Sequence, residues 1–468
     1  TTVKRALPSA VHGHRSLAIL WSIAWILTSA GCAALPPAES VVASPPSKGD
    51  APTIIESQGL LPRKEARSII RRLEIEAGPT DVLKRHAIVM EEIGGSSLVA
   101  GNKATLLVDG PATYAAMSDA IEGAHDHINL ETFTFEADEV GQGFADLLLR
   151  KQAEGVQVNL IYDSVGCLHT PGAFFQRLRD GGIQTLEVNP IDPLKARGDL
   201  LITDRDHRKI LIVDGEVAFT GGVNISGVYS KGYSTGSDKE QWRDTHVQIE
   251  GPAVAEFQRL FLEMWKRHKG RSLAPRNYFP PLKPVGNDLV QVIGSAPGEQ
   301  NRRTYLMYLA AILFARRSVY LTSAYFVPDD QMKNALEDAA RRGVDLKLVL
   351  PSESDQNLVL YAGRSYYEDL LEAGVEIYER RGAILHAKTA VVDEVWSTIG
   401  STNMDLWSFA RNYEVNAIIL GTDFADQMKA LFAADVTASH QITPEQWRRR
   451  SWSERVREWF ARLGRYWL

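Results

Sequence analysis

The sequence predicts an α/β protein of two similar halves, each a mostly parallel mixed sheet flanked by helices. Three observations predict this class. Apolar strand patterns alternate with helical patterns, the whole pattern recurs once along the chain, and each copy carries the triplet H-x-K-x-x-x-x-D. Alternating strands and helices favour a sheet that is covered on its faces by helices. A chain of 468 residues is long enough to bury the cores of two such halves.

The first 34 residues have the features of a secretory signal or membrane anchor. A basic flank precedes LAILWSIAWILTSAGCAA (17–34), which is apolar and ends in small residues. SAGC (29–32) resembles a bacterial lipoprotein processing site, which makes Cys32 the candidate lipidation site. An uncleaved anchor and simple secretion are the alternatives. All three predict a protein of the bacterial cell envelope, membrane-associated, with its catalytic domain outside the cytoplasm.

The segments that follow differ in composition and pattern. Residues 35–60 are rich in Pro, Ala and Ser, which predicts a flexible linker. We expect an N-terminal helical segment at 61–99, the first half at 100–275 and the second half at 276–445.

The two halves match element by element. AIEGAHDHINLETFTF (120–135) corresponds to AILFARRSVYLTSAYF (311–326), and a Gly-Val turn then leads each half into another apolar strand. The aromatic residues of LETFTF, together with Tyr325 and Phe326, are predicted to lie in the core.

The C-terminal segment 446–468 is predicted to be a basic amphipathic helix. Arginines alternate with an apolar face in its sequence RRRSWSERVREWFARLGRYWL (448–468). Such a helix is typical of an interfacial membrane helix attracted to anionic lipid. The alternative is a helix docked on the protein's own core. The apolar face consists of Trp452, Val456, Trp459, Phe460, Leu463 and Trp467.

Composition limits the other classes of function. The net charge of −6 argues against a general nucleic-acid-binding protein, so no nucleic-acid partner is expected. Two cysteines, Cys32 and Cys167, make no disulfide framework, and no Cys/His cluster has zinc spacing.

The triplets occur in HRKILIVD (207–214) and HAKTAVVD (386–393). On a strand, His207 and Lys209 share one face, and so do His386 and Lys388. A hairpin turn at Asp214-Gly215 then returns the chain as a partner strand.

A histidine and a lysine on one strand face suit phosphate chemistry. One imidazole attacks phosphorus, the other protonates the leaving alcohol, and the lysines hold the developing charge. No metal or other cofactor is required, and a lysine beside each histidine disfavours a cation. The candidate phosphate-binding residues that follow the triplets are Asn224, Ser401 and Asn403.

Acidic residues complete the predicted site. Asp244 and Glu414 occupy equivalent places in the repeat and are the candidates for orienting the histidines. Asp214 and Asp393 complete the two catalytic triplets. Their turn positions predict that they hold the hairpin and loop rather than touch substrate.

These motifs resemble those of the phospholipase D superfamily, and most closely the two-motif bacterial cardiolipin synthases. HRKILIVDGEVAFTGGVNIS (207–226), LHAKTAVVD (385–393) and IGSTNMD (399–405) carry the resemblance, which covers roughly residues 100–445. The resemblance implies a pseudo-twofold fold with one active site between the halves. It also implies a phosphatidyl-histidine intermediate, with His207 as nucleophile and His386 as acid/base. Trp407 stands where many relatives have an arginine.

The predicted function is therefore phosphatidyl transfer. The resemblance implies that two phosphatidylglycerol molecules are joined into cardiolipin with release of glycerol. Hydrolysis of a phospholipid is the alternative within the same chemistry, and a metal-independent nucleic-acid phosphodiesterase or a non-enzymatic membrane-binding protein would be different classes. The predicted partners are a phospholipid substrate and a membrane surface, reached through the N-terminal anchor and the C-terminal helix.

Overall fold

The computed structural model describes residues 35–37, 52–57, 59–94, 96–191, 203–230, 241–298 and 302–464. The predicted signal or anchor segment with Cys32, most of the predicted linker, and Trp467 lie outside the described residues. The elements before the first half are β1 (Ile54–Glu56), β2 (Gly59–Leu60), α1 (Arg63–Ala77), a π-helical turn (Val82–His86) and α2 (Ala87–Gly94).

The first half alternates strands with helices and then continues with strands joined by turns. Its elements are β3 (Leu98–Val108), α3 (Asp109–Glu122), β4 (His127–Thr132), α4 (Glu139–Ala153), β5 (Gln157–Asp163), α5 (Gly172–Asp180), β6 (Gln184–Val188), β7 (Arg205–Asp206), β8 (Ile210–Val213), β9 (Val217–Gly221), a 3-10 turn (Gly227–Tyr229), β10 (Thr245–Glu250) and α6 (Val254–Arg267).

The second half follows the same order and ends in two further short helices. Its elements are β11 (Asp288–Ser295), α7 (Arg303–Phe314), β12 (Ser318–Ser323), β13 (Phe326–Val327), α8 (Asp330–Arg341), β14 (Asp345–Pro351), α9 (Asn357–Arg364), α10 (Tyr367–Ala373), β15 (Glu376–Arg380), β16 (Lys388–Val392), β17 (Trp396–Gly400), β18 (Met404–Asp405), α11 (Leu406–Ala410), β19 (Asn412–Leu420), α12 (Thr422–Thr437), β20 (Ser439–Ile442), α13 (Pro444–Arg448) and α14 (Trp452–Leu463).

The predicted class is confirmed, but the expectation of mostly parallel sheets is wrong. In the first half β4, β5 and β6 are parallel, whereas β4–β8, β8–β9, β9–β10 and β10–β3 are antiparallel. The second half repeats this arrangement with β12, β14 and β15 parallel and β16, β17, β19 and β11 antiparallel. Helical crossovers allow parallel pairing, but each motif strand returns through a tight hairpin, which forces antiparallel pairing.

The two halves share strands and a core. Strand β3 pairs with β10 in its own half and with β11 of the second half. One buried apolar cluster contains Ile212 and Phe257 from the first half with Val391, Ile399 and Phe424 from the second. Because apolar side chains of both halves are removed from water together, separating the halves would expose this core.

Both predicted hairpins form with left-handed backbone at their turns. Asp214 has φ of 53° and Gly215 of 69°, and in the second half Asp393 has φ of 51° and Glu394 of 57°. Two consecutive residues with positive φ characterise the turn whose twist matches that of paired strands. The predicted turn at Asp214-Gly215 is thus present, and the second half makes the same turn without a glycine.

Candidate active site

Each predicted catalytic histidine pairs with the backbone of the opposite half. The backbone N–H of His207 donates to the carbonyl of Tyr413 at 3.0 Å, and that of His386 donates to the carbonyl of Arg243 at 2.8 Å. The expectation that the histidines lie within strands is corrected, because β8 begins at Ile210 and β16 at Lys388. The segments that carry the histidines instead pair across the boundary between the halves.

This pairing brings the predicted orienting carboxylates to the histidines of the opposite half. His207 Nδ1 lies 3.1 Å from both Oε1 and Oε2 of Glu414. His386 Nδ1 lies 2.7 Å from Oδ2 of Asp244. A carboxylate that accepts from Nδ1–H leaves the lone pair on Nε2, the nitrogen that can attack or exchange a proton. Repeat register pointed to both acids, but which acid serves which histidine follows only from the fold.

Ser401 binds the carboxylate that contacts His207. Its hydroxyl is buried and donates to Oε2 of Glu414, while Asn412 Nδ2 donates to Oε1 at 3.1 Å. The Ser401 hydroxyl is therefore engaged with Glu414 in this structure, and phosphate binding by Ser401 stays a prediction. In the first half the equivalent position is Gly222, where an added Cβ would collide with the carboxylate of Asp244.

The two predicted phosphate-binding asparagines differ in their hydrogen bonds. Asn224 Nδ2 donates to the hydroxyl of Tyr229 at 3.1 Å, and its Oδ1 accepts from the backbone N–H of Thr134 at 3.2 Å. The side-chain oxygen of Asn403 is buried and has no hydrogen-bond partner among the described residues. This atom is an acceptor, so a hydroxyl group could satisfy it but a phosphate oxygen could not, and a phosphate contact of Asn403 would have to come from its Nδ2.

The lysines of the two triplets are buried beside the histidines. Lys209 Nζ donates to the carbonyl of His207 at 2.6 Å, and Lys388 Nζ donates to the carbonyl of His386. Burial lowers the pKa of Lys209 to about 7 and that of Lys388 to about 8. Binding of a phosphate would restore these charges, because an anion favours the protonated ammonium.

Burial also lowers the pKa of both histidines. For His207 the carboxylate of Glu414 offsets part of this effect. For His386 the neighbouring Lys388 and Lys209 lower the pKa further, and His207 itself contributes, which shows that the four groups act on one another. Burial alone would raise the pKa of Glu414, but the His207 ring and Lys209 more than offset it, so this carboxyl is ionised.

Aromatic rings that the sequence assigned to the core line the two histidines. The ring centroid of Phe133 lies 5.1 Å from that of His207, and Lys209 Nζ lies 5.2 Å from the centroid of Phe133. The ring of Tyr325 lies 6.4 Å from that of His386. Phe135 and Phe326 are buried as predicted.

His386 has two further aromatic neighbours that sequence reasoning missed. The Tyr229 hydroxyl lies 3.2 Å from His386 Nδ1, and the ring centroid of Trp242 lies 5.4 Å from that of His386. Trp242 stands two residues before Asp244, and Tyr229 five after Asn224. Closeness in sequence to predicted site residues was thus the signal by which Tyr229 and Trp242 could have been found.

The aspartates of the triplets accept hydrogen bonds from backbone N–H groups and stabilise the fold. Asp214 accepts from the backbone N–H groups of His125, Asp126 and His127 at 2.8 to 2.9 Å. Asp393 accepts in the same way from the backbone of residues 316–318. Both aspartates therefore fix the start of the strand that pairs with the motif strand, as their turn positions predict, and their carboxylates are already engaged there.

These contacts define a site with one His–Lys pair from each half. Two imidazoles with Nε2 available, and two lysines that a bound anion would keep charged, are groups suited to phosphodiester transfer. A duplicated α/β fold that carries such a site is typical of proteins that transfer phosphodiesters with a pair of histidines.

Comparisons with known proteins place the chain within this class. The family described as "Cardiolipin synthase, PLD-like domain" matches residues 117–265 and 308–436. The cardiolipin synthase of Geobacillus sp. (strain WCH70) is 37% identical over 376 residues, 79% of this chain and 73% of that protein. Cardiolipin synthase A of Pseudomonas putida is 36% identical over 360 residues, 76% of this chain and 73% of that protein.

A solved structure supports the fold independently. The crystal structure of phosphatidylserine synthase from Haemophilus influenzae Rd KW20 superposes with a TM-score of 0.55 at 14% identity and covers 78% of this chain and 94% of that one. The chain belongs to the cardiolipin synthase-type family of phospholipase D-like proteins.

Proposed function

We propose that this protein is a phosphatidyltransferase that joins two phosphatidylglycerol molecules into cardiolipin and releases glycerol. The observation that carries the proposal is the pair of histidines, each held through Nδ1 by a buried carboxylate of the opposite half. The similarity to cardiolipin synthases over more than three quarters of the chain gives the substrate class.

The first half-reaction forms a phosphatidyl-histidine. Nε2 of neutral His207 attacks the phosphorus of the first phosphatidylglycerol, and the bond from phosphorus to the headgroup glycerol breaks. Protonated His386 donates its proton to the departing glycerol oxygen. Phosphate binding favours this protonation, because an anion raises the pKa of a neighbouring imidazole.

The second half-reaction reverses the roles. A primary hydroxyl of the second phosphatidylglycerol attacks phosphorus, His386 takes the hydroxyl proton, and the bond between phosphorus and His207 breaks. Lys209 and Lys388 hold the charge on the phosphoryl oxygens in both steps, and Asn403 offers a neutral donor. Water can attack the same intermediate, which would yield phosphatidic acid.

Product analysis with matched variants tests the proposal. Purified protein receives phosphatidylglycerol in mixed micelles without added metal, and lipid products are identified by mass spectrometry. We expect cardiolipin and glycerol from the wild type, and none from His207→Ala. His125→Ala is the control, because this histidine side chain is exposed. Phosphatidic acid as the sole lipid product would make the enzyme a hydrolase, and turnover that survives in His207→Ala would overturn the assigned mechanism.

The same proposal includes association with a membrane surface. Within the described ranges no helix is both long and apolar enough to cross a membrane. Helix α14 docks on the protein through Glu458 and Ala461, and Arg450 bridges Glu458 to Glu368. The predicted apolar face points away from this contact. Its exposed fractions are 78% for Trp452, 58% for Trp459, 62% for Phe460 and 61% for Leu463.

Exposed tryptophan and phenylalanine among arginines favour an interfacial helix on anionic lipid. Binding to vesicles of phosphatidylglycerol and of phosphatidylcholine, measured by sedimentation, tests this. We expect Trp459→Ser combined with Phe460→Ser to weaken binding to anionic vesicles about tenfold or more. Phe279→Ser removes another exposed aromatic ring, 53% exposed, and serves as control. Equal binding by all three proteins would exclude α14 from the membrane contact. Mass spectrometry of the N-terminal peptide from membranes tests lipidation of Cys32.

A further inference from the structure

A polar pair of side chains, Tyr325 and Asp355, lies beside His386. The Tyr325 hydroxyl donates to Asp355, with its oxygen 2.8 Å from Oδ1 and 2.9 Å from Oδ2. The Tyr325 ring stands edge-on to His386, at an interplanar angle of 88°. Asp355 is exposed and lies in the loop between β14 and α9, so its carboxylate is one tyrosine ring away from His386 and open to solvent.

Strand register identifies the equivalent positions of the first half. Ile128 and Val319 pair with equivalent residues of the motif strands, which places Thr134 opposite Tyr325 in the repeat. The β4–β5 and β12–β14 registers likewise relate Gln157 to Asp345, so the loop that carries Asp355 corresponds to SVGCLHTP (164–171) after β5.

The first half offers neither the phenol nor the acid at these positions. Cys167 is buried and packs against the backbone of Phe133 and Phe135. At these positions of the repeat, the carboxylate is thus present in the second half and absent from the first.

In the proposed chemistry, an alcohol group of the substrate occupies the space next to His386. The departing glycerol and the entering alcohol both exchange a proton with His386, so both occupy the space in front of its Nε2. A carboxylate at that edge accepts hydrogen bonds from hydroxyl groups. A glycerol headgroup has a second hydroxyl next to the reacting one, which water and simple alcohols lack.

We propose that Asp355 recognises the glycerol headgroup of the acceptor lipid and that Tyr325 positions Asp355. This inference rests on the proposed function and adds the residue that selects a vicinal diol over water. Each carboxylate oxygen has a second lone pair beyond the one used by Tyr325, so both contacts are compatible. Burial, together with the Asp355 carboxylate, raises the pKa of Tyr325, so the phenol stays protonated and continues to donate.

The partition of the intermediate between lipid alcohol and water tests the inference. The ratio of cardiolipin to phosphatidic acid depends only on steps after the phosphatidyl-histidine has formed, so a slow variant is still informative. Loss of a hydrogen bond to a charged group predicts about a tenfold fall of this ratio in Asp355→Asn. Tyr325→Phe should lower the ratio in the same direction but less, because it only frees the carboxylate. Glu353→Gln changes an exposed acid of the same loop and should leave the ratio at the wild-type value.

A second assay uses small acceptors in place of the second lipid. With labelled glycerol and ethanol at equal concentration, the wild type should prefer glycerol, and Asp355→Asn should lose most of that preference. Unchanged ratios in both assays would overturn the role of Asp355, and if Asp355→Asn does not fold, an unchanged ratio in Tyr325→Phe would do so. A wild type that makes no cardiolipin would instead remove the proposed function itself, a result that the ratios of the variants cannot mimic.

Discussion

Replacing Glu414 by glutamine isolates the contribution of a carboxylate from the opposite half. Glu414 is fully buried, and both of its oxygens lie 3.1 Å from His207 Nδ1. A glutamine of the same shape keeps one acceptor and loses the charge, which removes a charge-assisted hydrogen bond worth about 1.5–3 kcal/mol. At about 1.36 kcal/mol per factor of ten, this predicts a fall in kcat of about 10- to 160-fold.

The other hydrogen-bond partners of Glu414 can make the fall in kcat larger. Ser401 and Asn412 also donate to the two oxygens, so the new amide group must turn its N–H₂ toward one of these donors or toward His207. If it faces Nδ1, the imidazole adopts the other tautomer and Nε2 can no longer attack, a change that costs up to about 10⁴-fold in a triad.

Steady-state kinetics with phosphatidylglycerol and a thermal melt measure both effects. Glu337→Gln is the matched control, because Glu337 is also buried but pairs with Lys333 and Arg341 on α8. We expect this control to lose some stability and to keep its kcat. A folded Glu414→Gln protein with kcat within about threefold of wild type would refute the reasoning.

Other predictions concern pH, stability and packing. Because burial lowers the pKa of Lys209 to about 7 and that of Lys388 to about 8, and phosphate binding needs both charged forms, a pH–rate profile should show kcat/KM falling as pH rises above about 7 and by more than tenfold per pH unit well above 8. Burial raises the pKa of Glu131 to about 7, so the folded state keeps a proton that the unfolded state loses, and stability should fall as pH rises from about 4.5 to 7. Urea unfolding at both ends of this window should show a smaller change in Glu131→Gln. Gly222→Ala should displace Asp244 from His386 and lower kcat/KM by about a hundredfold, with about 1–3 kcal/mol of lost stability; unchanged kinetics would contradict the packing.

Much of the fold could be predicted because the chain repeats itself. Local patterns predicted the alternation of strands and helices and the hairpins at Asp214 and Asp393. Because the chain is duplicated, each pattern occurs twice, which also predicted the two-part architecture. The prediction that failed was the direction in which the strands beyond each hairpin pair. Helix–strand alternation reports how elements are connected, whereas pairing partners depend on which sheet edge each strand joins.

Within the candidate site, residue identities were more predictable than contacts. His207, Lys209, His386 and Lys388 follow from the triplets, and all four lie at one site. The Ser401 contact could not be predicted, because its partner Glu414 reaches it only through the pairing of β17 with β19. Phe133 and Tyr325 read as core because aromatic residues at strand ends are usually buried, and nothing local indicates that a histidine packs against them.

The proposed mechanism gives the two histidines different roles, and the structure contains differences that suit these roles. His207 faces two oxygens of a glutamate, each 3.1 Å away, whereas His386 faces one oxygen of the shorter Asp244 at 2.7 Å. Gly222 makes room for the shorter acid, while Ser401 at the equivalent position binds the longer one. A histidine that must repeatedly gain and lose a proton benefits from one close carboxylate, because that hydrogen bond strengthens when the ring becomes charged. Two longer bonds fix the plane of the attacking ring more firmly than they favour its protonation. The duplication thus supplies one His–Lys pair in each half, and we propose that these small differences distinguish the nucleophile from the acid.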